Sequence, residues 1–164
     1  MAFSTLSAAL LVFITLFTFT SSPAGAADTI FNVESAAVPA KIDRMRSARD
    51  AIKVKDWKKS VVELTQAVKD QPGNAEAHNL LAYSYRRQAT PDLPKAFEHY
   101  NIALKINPNH KGANEYIAEA YLMDKKPAKA EEHLARLKTI CGNTSCEEYQ
   151  DLAKSIADYK AKNK

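Results

Sequence analysis

Apolar side chains recur at helical spacing through most of the chain, in the same order each time. Three segments align with one another: SVVELTQAVKDQP (60–72), AFEHYNIALKINP (96–108) and AEEHLARLKTICG (130–142). The matching positions are Ser60, Ala96 and Ala130, then Leu64, Tyr100 and Leu134, then Ala67, Ala103 and Leu137. Spacings of four and three place each set on one stripe of an α-helix, and the closing Pro or Gly ends that helix. The pattern predicts three amphipathic helices of one design.

A second apolar stripe precedes each of these helices. LLAYSY supplies Leu81, Ala82 and Tyr85, YIAEAY supplies Ile117, Ala118 and Tyr121, and the first copy is degenerate, with Ser47, Ala48 and Ala51. Polar turns separate the two stripes, so each unit is predicted to be helix, turn, helix. The closing residues Pro72, Pro108 and Gly142 are 36 and 34 residues apart.

The repeated order of residues resembles the tetratricopeptide repeat, with L-G-x2-Y on its first helix and A-x3-F and a closing Pro on its second. Ala82 and Ala118 replace the Gly of that pattern, and Gly142 replaces the last Pro. The resemblance implies an all-α, right-handed α-α superhelix with repeats at residues 41–74, 75–110 and 111–144.

One more amphipathic helix is predicted after the repeats, over residues 145–164. Tyr149, Leu152, Ile156 and Tyr159 form one stripe, which would cover the apolar face left open by the last repeat. Thr144 and Ser145 are its predicted N-caps, because Glu147 lies three residues after Thr144 and Glu148 lies three residues after Ser145.

The first 26 residues carry no charged side chain and contain a long apolar run. Ala24 and Ala26 form an A-x-A arrangement after it, which is typical of a signal peptide. We expect cleavage after Ala26, a periplasmic or secreted protein without a stable membrane anchor, and an extended linker at 27–40. Retention of the segment as an anchor is the alternative.

The chain has two cysteines, Cys141 and Cys146, and two readings of them stay open. In an oxidising compartment two cysteines usually form a disulfide, which here would tie the last helix to the repeats. The alternative is a thiol-based redox or metal-delivery protein. We expect no metal site, because zinc needs four N or S ligands and the histidines are predicted to lie singly on solvated or lightly packed faces. They are His78, His99, His110 and His133.

The resemblance also implies where a partner binds, because the first helices of such repeats line a concave groove for a peptide or a helix. The predicted groove residues are Arg46, Arg49, Lys53, Asn79, Tyr83, Arg86, Arg87, Glu115 and Glu119. Met45 and Tyr116 lie on the same faces. The family variant that grips a chaperone's terminal carboxylate places Lys, Asn and Arg where this chain has Met45, Leu80, Gly112 and Tyr116, so that clamp is not expected.

Composition points away from other classes of function. The 23 basic and 19 acidic residues give a net charge of +4, with neither a long basic tract nor an aromatic platform for nucleic acid. Phosphate-binding loops and hydrolase motifs are missing, so neither an enzyme nor a cofactor is expected. The sequence favours an adaptor or assembly factor that binds a protein or peptide.

The predicted signal peptide can be tested by the mass of the exported protein. A chain that begins at Ala27 is expected, and mass spectrometry of material from the cell envelope measures it. A mass that includes residues 1–26 would instead mean that the segment is retained as an anchor.

Overall fold

The computed structural model describes residues 43–163, so the predicted signal peptide and the 27–40 linker lie outside the described residues. Every regular element in this range is a helix, which confirms the predicted all-α repeat fold. The helices are α1 (Arg44–Lys53), α2 (Trp57–Asp70), α3 (Ala75–Arg87), α4 (Leu93–Ile106), α5 (Lys111–Met123), α6 (Pro127–Cys141) and α7 (Glu147–Lys162). None of these seven is long and apolar enough to cross a membrane.

Consecutive helices pack as three hairpins and a final helix. α1 packs on α2, α3 on α4 and α5 on α6, and each hairpin contacts the next through α2 with α3 and α4 with α5. α7 lies against both α5 and α6. It therefore covers the face that the third hairpin would otherwise expose.

Short polar side chains set the starts of most helices. Asp43, Asp56, Asn74 and Asp92 each accept a hydrogen bond from the backbone N–H three residues later. His110 does the same for α5 through Nδ1. Each such bond satisfies a donor that the first helical turn leaves without a partner.

Small residues bring the helices together. Ala48, Ala82 and Ala118 hold the same position in α1, α3 and α5, and all three are fully buried. Large side chains fill the space around them: Tyr100 and Leu64 have no exposed surface. Tyr85 and Tyr121, predicted to face the interior, are half-buried and pack against the core.

The start of α7 differs from the prediction. Its N-cap is Cys146, not Thr144 or Ser145, and no side chain caps it. Asn143 Oδ1 instead accepts hydrogen bonds from the backbone N–H and the hydroxyl of Ser145, both at 2.8 Å. The turn after the left-handed Gly142 (φ 69°) therefore uses Ser145 before the helix begins.

The prediction that the histidines lie singly on solvated or lightly packed faces is wrong for His78, His99 and His133, whereas His110 is half-buried at the start of α5. His78 and His133 are buried, and the Nδ1 atoms of His78 and His99 lie 3.0 Å apart. His78 Nε2 lies 3.2 Å from the Pro72 carbonyl, and it must be the donor because a carbonyl can only accept. In the neutral ring His78 Nδ1 is then an acceptor. His99 Nδ1–H therefore donates to it. Burial lowers the pKa of both, and lowers the pKa of His133 to about 4.

Cys141 and Cys146 are joined by a disulfide in the structure, with their Cα atoms 6.2 Å apart. Cys141 is the last residue of α6 and Cys146 directly precedes α7. The bond therefore links the end of the last repeat helix to the start of the final helix.

Replacing both cysteines by Ser is expected to lower the free energy of unfolding by about 2 kcal/mol, because the short closed loop no longer restricts the unfolded chain. The loss should appear as faster hydrogen exchange at the α7 amides. The matched control is the wild type in reductant, which should behave like the double variant. Equal stability of the oxidised wild type and the variant would contradict a structural role for the bond.

Candidate functional site: the inner face of the repeats

Aromatic rings from three helices meet on one surface, which we call the inner face. It is formed by Trp57 at the start of α2, by Tyr83, Arg86 and Arg87 of α3, and by Tyr116 and Glu119 of α5. The ring centroids of Trp57 and Tyr83 are 5.9 Å apart, and those of Tyr83 and Tyr116 are 4.9 Å apart. Such spacings are typical of interacting aromatic pairs.

Two arginines lie over these rings. The Arg87 guanidinium is 5.8 Å from the centroids of both Trp57 and Tyr83. The Arg86 guanidinium lies 5.4 Å from Tyr83 and 5.7 Å from Tyr116. Rings and cations thus stabilise one another along the face.

The two arginines differ in environment. Arg87 is exposed, whereas Arg86 is 5% exposed and its Nη2 lies 2.6 Å from Glu119 Oε2. Arg86 Nε also donates to the Tyr100 hydroxyl at 3.4 Å. Burial alone would lower the pKa of Arg86, but Tyr100 and Glu119 raise it above its usual range. Arg86 therefore joins α3 to α5 through its ion pair with Glu119, whereas the charge of Arg87 is exposed to solvent.

The α1 side of the face is basic. Arg49 Nη2 lies 3.7 Å from Glu76 Oε1, and Lys53 Nζ lies 3.3 Å from Asp50 of its own helix. Arg46 is mostly exposed and lies 3.8 Å from Asp43. These are weak surface pairs, so the three cations stay accessible to a partner.

Asn79 lies between the basic side and the tyrosines, and it is 3% exposed. Its Nδ2 donates to Glu76 Oε2 at 3.3 Å, while its buried Oδ1 has no hydrogen-bond partner among residues 43–163. A Cβ at Gly112 would lie 3.4 Å from Asn79 Nδ2, so α5 approaches closely here. A buried acceptor without a donor costs free energy that a ligand can recover.

The α5 and α7 side of the face is acidic. Glu115 is 7% exposed, and burial followed by the charges of Glu119, Asp151 and Glu148 raises its pKa to about 8. Arg86 opposes this shift in part. The Ser155 hydroxyl of α7 donates to Glu119 at 3.4 Å, which joins α7 to the same side.

The structure thus brings most of the predicted groove residues to one surface but gives them different roles. Arg86 and Glu119 pair with each other, whereas Arg46 and Lys53 stand at the exposed α1 end. Sequence reasoning missed Trp57, because it begins a second helix, and it missed the α7 carboxylates, because that helix was treated only as a cap. The sequence did contain a signal, because Trp57 is an aromatic residue that directly follows the polar turn KVKD.

A cavity of about 370 Å³ adjoins the aromatic row at the turns of the first two hairpins. Its lining includes Trp57, Lys55, Lys58, Gln88 and Thr90. The row therefore continues into an open depression whose charged side chains are basic, apart from Asp56.

The cysteines lie beside the acidic side. A Glu148 carboxylate oxygen and the two sulfur atoms lie within 4.8 Å of one another. Two thiolates and a carboxylate could hold a metal only if the disulfide were reduced, because paired sulfurs are not thiolate ligands.

The comparisons with known proteins agree with the helical-repeat fold. Residues 45–111, from α1 to the first residue of α5, match the family described as "Tetratricopeptide repeat". Thirty-two chains of solved structures match. One of them is titled "TPR2B-domain:pHsp70-complex of yeast Sti1", with a TM-score of 0.65 and 19% identity, covering 73% of this chain and 94% of that chain. The comparison with curated protein sequences found no match.

These findings define an all-α helical-repeat protein. Within it, residues 45–111 are similar to the tetratricopeptide repeat family. At 19% identity the structural likeness shows the fold alone.

Replacing Glu115 by Gln is expected to remove one pH-dependent contribution to the free energy of unfolding. The folded pKa is about 8 against an ordinary value of 4.5, so the unfolded chain releases its proton first as the pH rises. The wild type should therefore lose stability relative to the variant between pH 4.5 and about 8, and the difference should level off above that range.

Urea denaturation across this pH range measures the effect. Glu98→Gln is the matched control, since it removes an exposed carboxylate from α4. A stability difference between Glu115→Gln and the wild type that is the same at both ends of the range would contradict the assignment.

Proposed function

We propose that the protein is an exported adaptor or assembly factor that binds a peptide or a helix of a partner protein on its inner face. The observation that carries this proposal is the connected row of Trp57, Tyr83 and Tyr116 with Arg87. Of these residues, Tyr116 also packs against the hydrophobic core. Tyr, Trp and Arg are the residues that most often dominate the affinity of protein interfaces.

The polar groups beside the row also suit a peptide. Asn79 Oδ1 is a buried acceptor to which no residue of the described range donates, and a backbone N–H of an extended peptide would supply a donor. Arg49, Lys53 and Arg87 add positive charge at one end. One of the solved structures similar to this chain is, by its title, a complex of a TPR2B domain with pHsp70, which supports the proposal of a protein partner.

Export is supported by the uncharged first 26 residues and by the cysteine pair. A disulfide persists in an oxidising compartment and is rare in the cytosol. We therefore propose that the partner is met in the periplasm or outside the cell.

Photo-crosslinking in the intact envelope tests the proposal. A photoreactive phenylalanine analogue at Tyr83 is expected to give a discrete adduct with a partner. The same group at Val62, which is 67% exposed on α2, is the matched control and should not give that adduct. Identical adducts from both positions would contradict binding at the inner face.

Charge reversal gives a second measurement on the same adduct. Arg49→Glu with Arg87→Glu should reduce its yield roughly tenfold, because two cations of the face become anions, while helical circular dichroism stays unchanged. Arg136→Glu, an exposed position on α6, is the control. Arg86 is unsuitable for this test, because reversing a buried charge beside Glu119 would destabilise the fold.

A second candidate function, in thiol redox chemistry or metal delivery, is favoured by one observation. This is the proximity of Glu148 to Cys141 and Cys146. Counting free thiols in the exported protein with a blocking reagent distinguishes the two. A disulfide that does not exchange removes this candidate.

A further inference from the structure

We infer that the segment bound by the inner face carries a lysine or arginine side chain, and that Glu115 receives its cationic head group. This inference rests on the proposed function and names the chemistry of its partner. It assigns to the acidic side of the face a pocket for one positive charge.

Glu115 is the first observation. It lies on α5 with 7% of its surface exposed, and its carboxylate has neither a hydrogen bond nor an ion pair with any residue between 43 and 163. Asn79 Oδ1 is the only fully buried side-chain oxygen or nitrogen without a partner in this range, so the carboxylate oxygens of Glu115 still reach solvent. A carboxylate on so enclosed a residue is usually paired or binds a ligand.

Among residues 43–163, the charges that act most strongly on Glu115 are mostly negative. Glu119 on the same helix and Glu148 and Asp151 on α7 all act on it with the same sign of charge. The opposing charge, Arg86, lies 2.6 Å from Glu119 and is already committed to that pair. Four carboxyl groups thus face one guanidinium, and a further positive charge would be attracted.

Asn79 supplies a second, independent observation. Asn79 and Glu115 hold matching positions of consecutive repeats, 36 residues apart, on the adjacent helices α3 and α5. Asn79 Oδ1 is buried and has no donor among residues 43–163. The inner face therefore presents an unpaired acceptor in each of two consecutive repeats. Asn79 suits a backbone N–H of the segment, and Glu115 suits a side chain that brings only donors, as Lys and Arg do.

The aromatic row favours the same ligand. Tyr116 directly follows Glu115 and packs against Tyr83 at 4.9 Å. Arg86 and Arg87 already lie over these rings, so the row offers a Lys or Arg side chain an apolar surface for its aliphatic stem rather than for its charge. At the opposite end Arg49, Lys53 and Arg87 repel a cation, so the charges also set the direction in which the segment lies.

Binding should release a proton. Burial and the nearby carboxylates raise the pKa of Glu115 to about 8, so the group is mostly protonated at neutral pH. A bound ammonium or guanidinium favours the carboxylate, and the proton passes to the buffer.

The test starts from a library of random twelve-residue peptides, selected against the mature wild-type protein. Peptides that bind are expected to share a Lys or Arg. Replacing that residue by Gln should weaken binding at least tenfold to the wild type and little to Glu115→Gln, as measured by fluorescence polarisation. Glu98→Gln should keep the preference.

Calorimetry of one selected peptide adds an independent readout. In two buffers of different ionisation enthalpy near neutral pH, binding to the wild type should release up to about one proton, since Glu115 is then mostly protonated. Binding to Glu115→Gln should release none. The Gln variant keeps the shape of the protonated group, so its folding is expected to be intact.

The other outcomes separate this inference from the proposed function. Two results overturn the inference and leave the proposed function standing. In the first, the selected peptides bind the wild type but not Tyr83→Ala, and they share no basic residue. In the second, the peptides share a basic residue, but Glu115→Gln prefers it as strongly as the wild type does. Failure to select any peptide, or equal binding to Tyr83→Ala, overturns both. Self-association that depends on Glu115 in sedimentation would mean that a second copy fills the pocket, which also overturns the inference.

Discussion

Close packing of helices through alanine is the constraint on which the rest of this structure depends. Ala48, Ala82 and Ala118 leave no exposed surface and recur at one position of α1, α3 and α5. Ala96 and Ala130 are likewise fully buried at the matching positions of α4 and α6, where α2 has the buried Ser60. Because a larger side chain at these positions would separate the helices, the hairpins can stack only with this spacing.

The stacking brings residues distant in sequence onto one surface. Tyr83 and Tyr116 meet because α3 and α5 lie side by side, and Arg86 reaches Glu119 across the same boundary. The buried Arg86–Glu119 pair holds the two repeats in register at the centre of the inner face. The proposed binding surface and a repeat interface therefore share residues, so that Arg86 is held in an ion pair while Arg87 stays exposed.

The final helix has two roles that follow from its position. It covers the apolar face of the third hairpin with Leu152 and Ile156, and it adds Glu148 and Asp151 to the acidic side. The disulfide directly precedes α7 and so restrains the start of the helix that carries these carboxylates. A covalent bond that stabilises the fold thus also positions charge on the inner face.

Periodicity by itself determined the helices and their pairing, because side chains spaced by three and four residues must share a helical face whatever surrounds them. Ala82, Tyr100 and Leu137 were assigned to the core on that ground, and the structure buries them. Competing local hydrogen bonds were harder to foresee. Ser145 donates to Asn143 Oδ1 and does not cap α7 as predicted. The pairing of His78 with His99, the burial of Arg86 and the unpartnered state of Glu115 were decided by tertiary structure alone. Each depends on atoms from helices far apart in sequence, and desolvation and charge act through space rather than along the chain.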